Sequence, residues 1–302
     1  MARYIPPSSE EQDAKISLTT YYNYVEAFRF LAVGRNPERT QTEIPSFAKL
    51  QLRNAVEGSD LRKPLYRGWL TWRAMRRLPV QTDPGLARSA NFWLPVQAYY
   101  ALHGVGLAAI CALCSEAPST HRKFLTTFAN QVVRLLPFPL NLRCVGNPAL
   151  KETLRFEGID IPVREVRRTS NLSNPQSNAD ALAAKALITT RQRDFDDRCD
   201  EQRKNKKIKR LGAARKVEIG KNMAPTSVAD FYYRLRIRAN YDDPDMFVYG
   251  EESDEAARDR YANLISLTEM ALSSLGQIIK KKVGDLEWEK LRSGIFKRRT
   301  EP

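Results

Sequence analysis

The stretch SANFWLPVQAYYALHGVGLAAICALCS (89–115) carries no Asp, Glu, Lys or Arg, and its reading decides the fold. Tyr99, His103, Leu107, Ile110 and Cys114 recur at helical spacing, and Ala101, Leu102, Val105 and Ala109 widen the stripe to most of the circumference. A helix apolar on most sides is a central one, covered by neighbours. A membrane span needs about 18 or more continuous apolar residues. Pro95, His103, Gly104 and Gly106 interrupt this one, so the expectation is a core helix and no membrane.

The neighbours that would cover it are visible on both sides. Pro118 ends the central segment, and Ser119 or Thr120 opens another helix in which Phe124, Phe128, Val132 and Leu135 repeat until Pro137. Upstream, Tyr21, Val25, Phe28, Leu31 and Ala32 form a first helix, with Ser17 or Thr19 as cap and Gly34 as stop. Between them, Pro45 opens a short helix with Phe47, Leu50 and Val56, and Trp69, Trp72, Met75 and Leu78 mark one more. Downstream, Ser227 and Asp230 approximate a capping box before Val228, Tyr232, Leu235 and Ala239. A last long helix starts near Ser253, with Ala257, Tyr261, Leu264, Leu267, Ala271, Leu275 and Ile278 on its stripe and Gly284 after it. Residues 137–176 break the pattern. Near-alternation of Leu154, Phe156, Ile159, Ile161 and Val163 reads as a small β-hairpin or an irregular insert. A long polar helix is expected from about Ala179 to Leu211.

The fold class that follows is all-α, with a flexible arm at 1–17 and a basic tail at 285–302.

Composition narrows the partners. Lys plus Arg total 49 against 35 Asp plus Glu in 302 residues, a net charge of +14. The pI is near 9.7 and the mean hydropathy −0.49. Such a balance favours an anionic partner, with nucleic acid ahead of a membrane surface. Four Cys make no disulfide framework, and a reducing cytoplasm is the simplest home. Cys111 and Cys114 have metal-pair spacing without a second pair, and read as core packing. Phosphate loops of the GxGxxG or GxxxxGK[ST] type are absent, and the residues call for no cofactor.

Of two histidines, His103 lies on the central helix and His121 reads as a surface residue. Asp194, Asp196, Asp197 and Asp200 alternate with arginines and read as mutual salt pairing on a solvated helix. The run RKNKKIKRLGAARK (203–216) has no acid. Arg203, Lys204, Lys206, Lys207, Lys209, Arg210, Arg215 and Lys216 read either as a solvated surface or as an arm that contacts phosphates. FYYRLRIRANYDDPDMFVYG (231–250) puts Arg234, Arg236 and Arg238 on one short helix, with Asn240 and Tyr241 following. That density of guanidinium beside a buried face calls for anions, supplied either by Asp242, Asp243 and the acids of 251–259 or by a ligand.

Three of these segments together resemble a known family. QAYYALHGVGLAAICAL (97–113), STHRKFLTTFANQVV (119–133) and LRIRANYDD (235–243) are similar, in this order, to helices of HEPN domains from a compact prokaryotic branch. The resemblance implies a dimerising antiparallel helical bundle made of 18–136 and 226–284, with insertions at 35–89 and 137–225. It also implies RNA, or a protein partner from a defence or toxin–antitoxin operon, as the associated component. Active HEPN members are metal-independent endoribonucleases whose motif is an Arg followed four to six residues later by His. Arg236 matches the Arg, whereas Tyr241 stands where the His is expected. A phenol titrating near 10 is a poor base at neutral pH. The resemblance therefore implies RNA binding and assembly as the main work, with Arg234, Arg238, Asn240 and the 203–216 run as contacts. A nuclease using Arg236 with Tyr241 or His103 is the alternative, and a structural subunit that binds an acidic protein is the third reading.

Overall fold

The computed structural model describes residues 9–33, 37–52, 58–80, 82–114, 117–250 and 253–296, and most of them are helical. In chain order the first helices are α1 (Ser9–Ala32), α2 (Pro37–Thr42), α3 (Pro45–Ala48), α4 (Gly58–Arg76), α5 (Pro84–Leu113) and α6 (His121–Thr127). A π turn (Phe128–Val132) and a 3-10 turn (Val133–Leu135) continue α6. Then follow β1 (Arg143–Val145), β2 (Arg155–Glu157), α7 (Val163–Arg168), α8 (Ala179–Lys206), α9 (Ala213–Lys221) and β3 (Thr226–Ser227). The chain closes with α10 (Val228–Ile237), a π turn (Arg238–Asp242), α11 (Asp245–Tyr249), α12 (Asp254–Val283) and α13 (Asp285–Phe296).

The charge-free stretch is the hub. Asp83 caps α5 by accepting a hydrogen bond from the Leu86 amide at 3.2 Å. The helix then runs unbroken through Pro95 to Leu113. It is long and apolar enough to cross a membrane, yet 72% of its apolar window is buried within this fold. Helices α4 and α12 flank it, and α10 and the Phe128–Val132 turn pack on it as well. The α4–α5 crossing is tight because both helices present glycine there. A Cβ on Gly104 would stand 2.6 Å from the Gly68 amide nitrogen and 2.8 Å from the Pro64 carbonyl.

Second comes the packing of α1, whose buried Leu18, Tyr21, Val25 and Phe28 meet α8, α11 and α12. The stretch 137–225 thus does not stand apart: Leu182, Ala183 and Leu187 of α8 belong to the same core as α5 and α12. Arg191 ties this region down. Its side chain is 2% exposed and donates to the carbonyls of Gly146 (3.0 Å from Nε) and Ala224 (2.7 Å) and to Thr226 Oγ1 (3.1 Å). A buried guanidinium needs such partners, because losing hydration without them is costly.

Several boundaries differ from the sequence expectation. The arm expected over 1–17 is helical from Ser9, and the tail expected over 285–302 is helix α13 as far as Phe296. The small sheet is antiparallel in the order β2-β1-β3, with Cys144 opposite both Phe156 and Thr226. Ile159 and Ile161 lie beyond its strands, and Val163 opens α7. The long polar helix ends at Lys206, where Lys207 takes a left-handed conformation with φ of 54°. Gly34, Val56 and residues 297–299 lie outside the described residues.

Candidate anion site between α5, α6 and α10

Two adjacent tyrosines and a histidine one turn later, Tyr99, Tyr100 and His103, put one face of α5 toward α10 and the start of α6. On α10 the capping box forms as expected: Asp230 accepts from the Ser227 amide at 2.8 Å. That cap fixes the helix phase, which sets Tyr233 and Arg236, three residues apart, opposite the α5 face. The Arg236 guanidinium carbon lies 5.6 Å from the Tyr99 ring centre, 5.2 Å from that of Tyr100 and 5.6 Å from that of Tyr233. Both histidines join this cluster. Their ring centres are 4.9 Å apart, His103 packs on Phe124 at 4.4 Å, and His121 lies 5.9 Å from Tyr233. The Tyr99 hydroxyl and His121 Nδ1 are 2.7 Å apart. His121 is therefore no bystander on the surface: the first residue of α6 closes the site.

What distinguishes Arg236 from its neighbours is the absence of a carboxylate. Arg234 pairs with Asp242 at 2.5 Å, and Arg238 pairs with Asp243 at 2.9 Å while also bonding the Ser17 hydroxyl. Arg193 adds a longer contact to Asp242 at 4.0 Å. These arginines and acids line a cleft of about 450 Å³ between α1, α8 and α10. Among the described residues Arg236 has no ion pair, and its Nε is buried without a hydrogen-bond partner. The tyrosine rings supply only their π faces, each worth about 0.5–2 kcal/mol to a cation. A half-buried guanidinium so arranged retains donors for an anion.

The local field keeps the histidines neutral. Burial, then His121 and Arg236, pull His103 down from 6.5 to about 4. Burial and Arg236 lower His121 as well. Tyr99 is raised by burial, so its phenol keeps its proton. Asp230, at the foot of α10, is pushed up to about 7 by burial against the hydrogen bonds from Ser227. A neutral imidazole can take a proton, and an anion arriving at Arg236 would raise the affinity of both rings for one.

The remaining sequence candidates fall elsewhere. Tyr241 is 67% exposed, in the turn after α10, and stands apart from the ring contacts around Arg236. Asn240 is half-buried in the same turn. Lys204, Lys206, Lys207, Lys209, Arg210 and Lys216 are exposed around the α8–α9 connection. Arg203 pairs there with Asp200 and Arg215 with Glu218, each at 2.5 Å. The aspartates of α8 pair with its own arginines, Asp194 with Arg198 at 2.9 Å and Asp197 with Arg193 at 3.2 Å, as their spacing indicates. Cys111 is buried and Cys114 half-buried, and neither is in a disulfide. Among the described residues there is no group of three or more His, Cys, Asp and Glu that could hold a metal.

Reading the residues singly missed His121, Tyr99, Tyr100 and Tyr233. The signal was present in the AYY and STH segments, whose meaning depends on three helices meeting. Comparison of the chain with protein-family models, with curated proteins and with solved structures found no match.

Proposed function

We propose that this chain is a HEPN-like, RNA-associated protein of a prokaryotic defence or toxin–antitoxin system, working in the cytoplasm, and that Arg236 receives a phosphate of the RNA backbone. The observation that carries the reading is the Arg236 guanidinium: among the described residues Arg234 and Arg238 have aspartates, and Arg236 has only tyrosine faces. Net charge of +14 and the exposed 203–216 run support a salt-sensitive polyanion partner. Gel-shift titration with single-stranded RNA at two salt concentrations tests it. Binding is expected to weaken with salt, and Arg236→Ala to cost about tenfold, in line with loss of one charge-assisted hydrogen bond. Salt-insensitive or absent binding by folded protein would remove the reading.

A second, catalytic reading is favoured by the two neutral histidines beside Arg236. In it His103 takes the proton of the ribose 2′-hydroxyl, and the 2′-oxygen attacks phosphorus. The 5′-oxygen leaves with a proton from the less buried His121, which takes up that proton from solvent once the RNA phosphate has bound, yielding a 2′,3′-cyclic phosphate while Arg236 holds the non-bridging oxygens. Incubation with total RNA in EDTA separates the two readings. Cleavage that Arg236→Ala and His103→Asn abolish supports the nuclease, whereas intact RNA leaves binding alone.

A further inference from the structure

The segment WLTWRAMRR (69–77) has no part in the Arg236 site. Its helix α4, together with α12 and α13, walls a separate open groove of about 610 Å³. Three indoles line it: Trp69 and Trp72 from α4, and Trp288 from α13. Trp69 and Trp288 meet edge to face, 5.4 Å between centres at 78°. Gly276 of α12 lets the Trp288 ring lie close, since a Cβ there would stand 3.2 Å from it. Trp72 is half-buried, and the Arg76 guanidinium already lies over its ring at 5.8 Å.

Among the described residues Arg73, Arg76, Arg77 and Arg292 line the groove with one acid, Glu269, which Arg76 meets at 3.3 Å. Arg292 lies on the exposed rim, 3.4 Å from Glu289. Indoles flanked by guanidinium groups suit a ligand that alternates flat aromatic rings with phosphates. Single-stranded nucleic acid offers that alternation, whereas a duplex keeps its base faces occupied. An acidic peptide would meet the arginines but carries a flat ring only where it has an aromatic residue, not beside every charge.

We propose that this groove binds single-stranded nucleic acid, with a base extending the Arg76–Trp72 stack and neighbouring phosphates held by Arg73 and Arg77. It shares the RNA ligand with the preceding proposal but uses other elements, so the two fail separately. Of the four tryptophans in the chain, Trp93 alone lies outside the groove, exposed on α5. Trp93→Phe therefore leaves all indole fluorescence in the groove. The test titrates Trp93→Phe/Arg236→Ala protein with a 2′-O-methyl oligonucleotide, which cannot be cleaved. Saturable quenching is expected, weakened about tenfold by Trp72→Ala and largely restored in Trp72→Phe, which keeps a flat ring. Arg73→Gln with Arg77→Gln should lower the salt slope by about two. Absence of quenching, or affinity unchanged in both the Trp72→Ala and the double arginine variants, overturns the proposal. So does equal binding of a duplex or of uridine monophosphate, or tighter binding of an acidic peptide.

Discussion

Arg234, Arg236 and Arg238 have the same chemistry two residues apart, and their fates differ because helix geometry turns them to different neighbours. Asp242 and Asp243, in the turn that follows, fold back onto the outer two. Arg236 faces α5, where the sequence supplies tyrosines and histidine in place of acids. The titrating groups around it make a prediction with opposing signs. His103 titrates near 4 when folded and 6.5 when free, so the unfolded chain binds the extra proton, and His103 costs stability as pH falls through that window. Asp230 titrates near 7 when folded and 3.8 when free, so its contribution is present at low pH and lost as pH rises toward 7. The two oppose each other between about pH 4 and 7. His103→Asn should therefore make Tm fall more steeply as pH rises across this window, and Asp230→Asn, which keeps an acceptor for the Ser227 amide, should make Tm climb with pH. Thermal melts at half-unit steps check both, and profiles parallel to the parent in both variants would contradict the assignment. The Arg-rich helix was legible in the sequence, but the choice among its arginines was not. That choice depends on which residues far away in the sequence lie opposite, and periodicity does not carry such information.

Elements were more legible than their junctions. The stripes on α1, α5, α10 and α12 are long and strongly apolar, so burial follows directly from spacing. The small hairpin was legible but its strand ends and third strand were not, because β1, β2 and β3 hold only three, three and two residues and β3 joins β1 from far along the chain. The α4–α5 crossing shows what spacing does not reveal. Gly68 and Gly104 face each other so closely that the backbones touch, and that contact sets the angle at which Tyr99, Tyr100 and His103 are presented. Gly104→Ala should cost about 1–3 kcal/mol by overpacking. Gly85→Ala, exposed in the first turn of the same helix with its nearest atom at 3.6 Å, should stay within about 0.5 kcal/mol. Urea unfolding midpoints compare them directly. Equal midpoints would mean that the crossing has room to relax.

At the scale of the whole molecule, one core accounts for the site. Helix α5 is clasped by α4 and α12, and the residues expected as an insertion contribute α8 to the same core through Leu182 and Leu187. Arg236, His103 and His121 come from three elements, and only the assembled bundle brings them together. Cations gather in the exposed 203–216 run, in the Trp–Arg groove and at Arg236, so bulk charge alone does not say where an anion would dock. The central claim is that an RNA phosphate sits beside Arg236 and the two imidazoles. The chain contains just these two histidines, so nitrogen-detected NMR reads them without ambiguity. In free protein both should titrate below 6.5. Saturating 2′-O-methyl RNA should raise both pKa values, and Arg236→Gln should remove that rise. Histidine titrations unmoved by bound RNA would contradict the account.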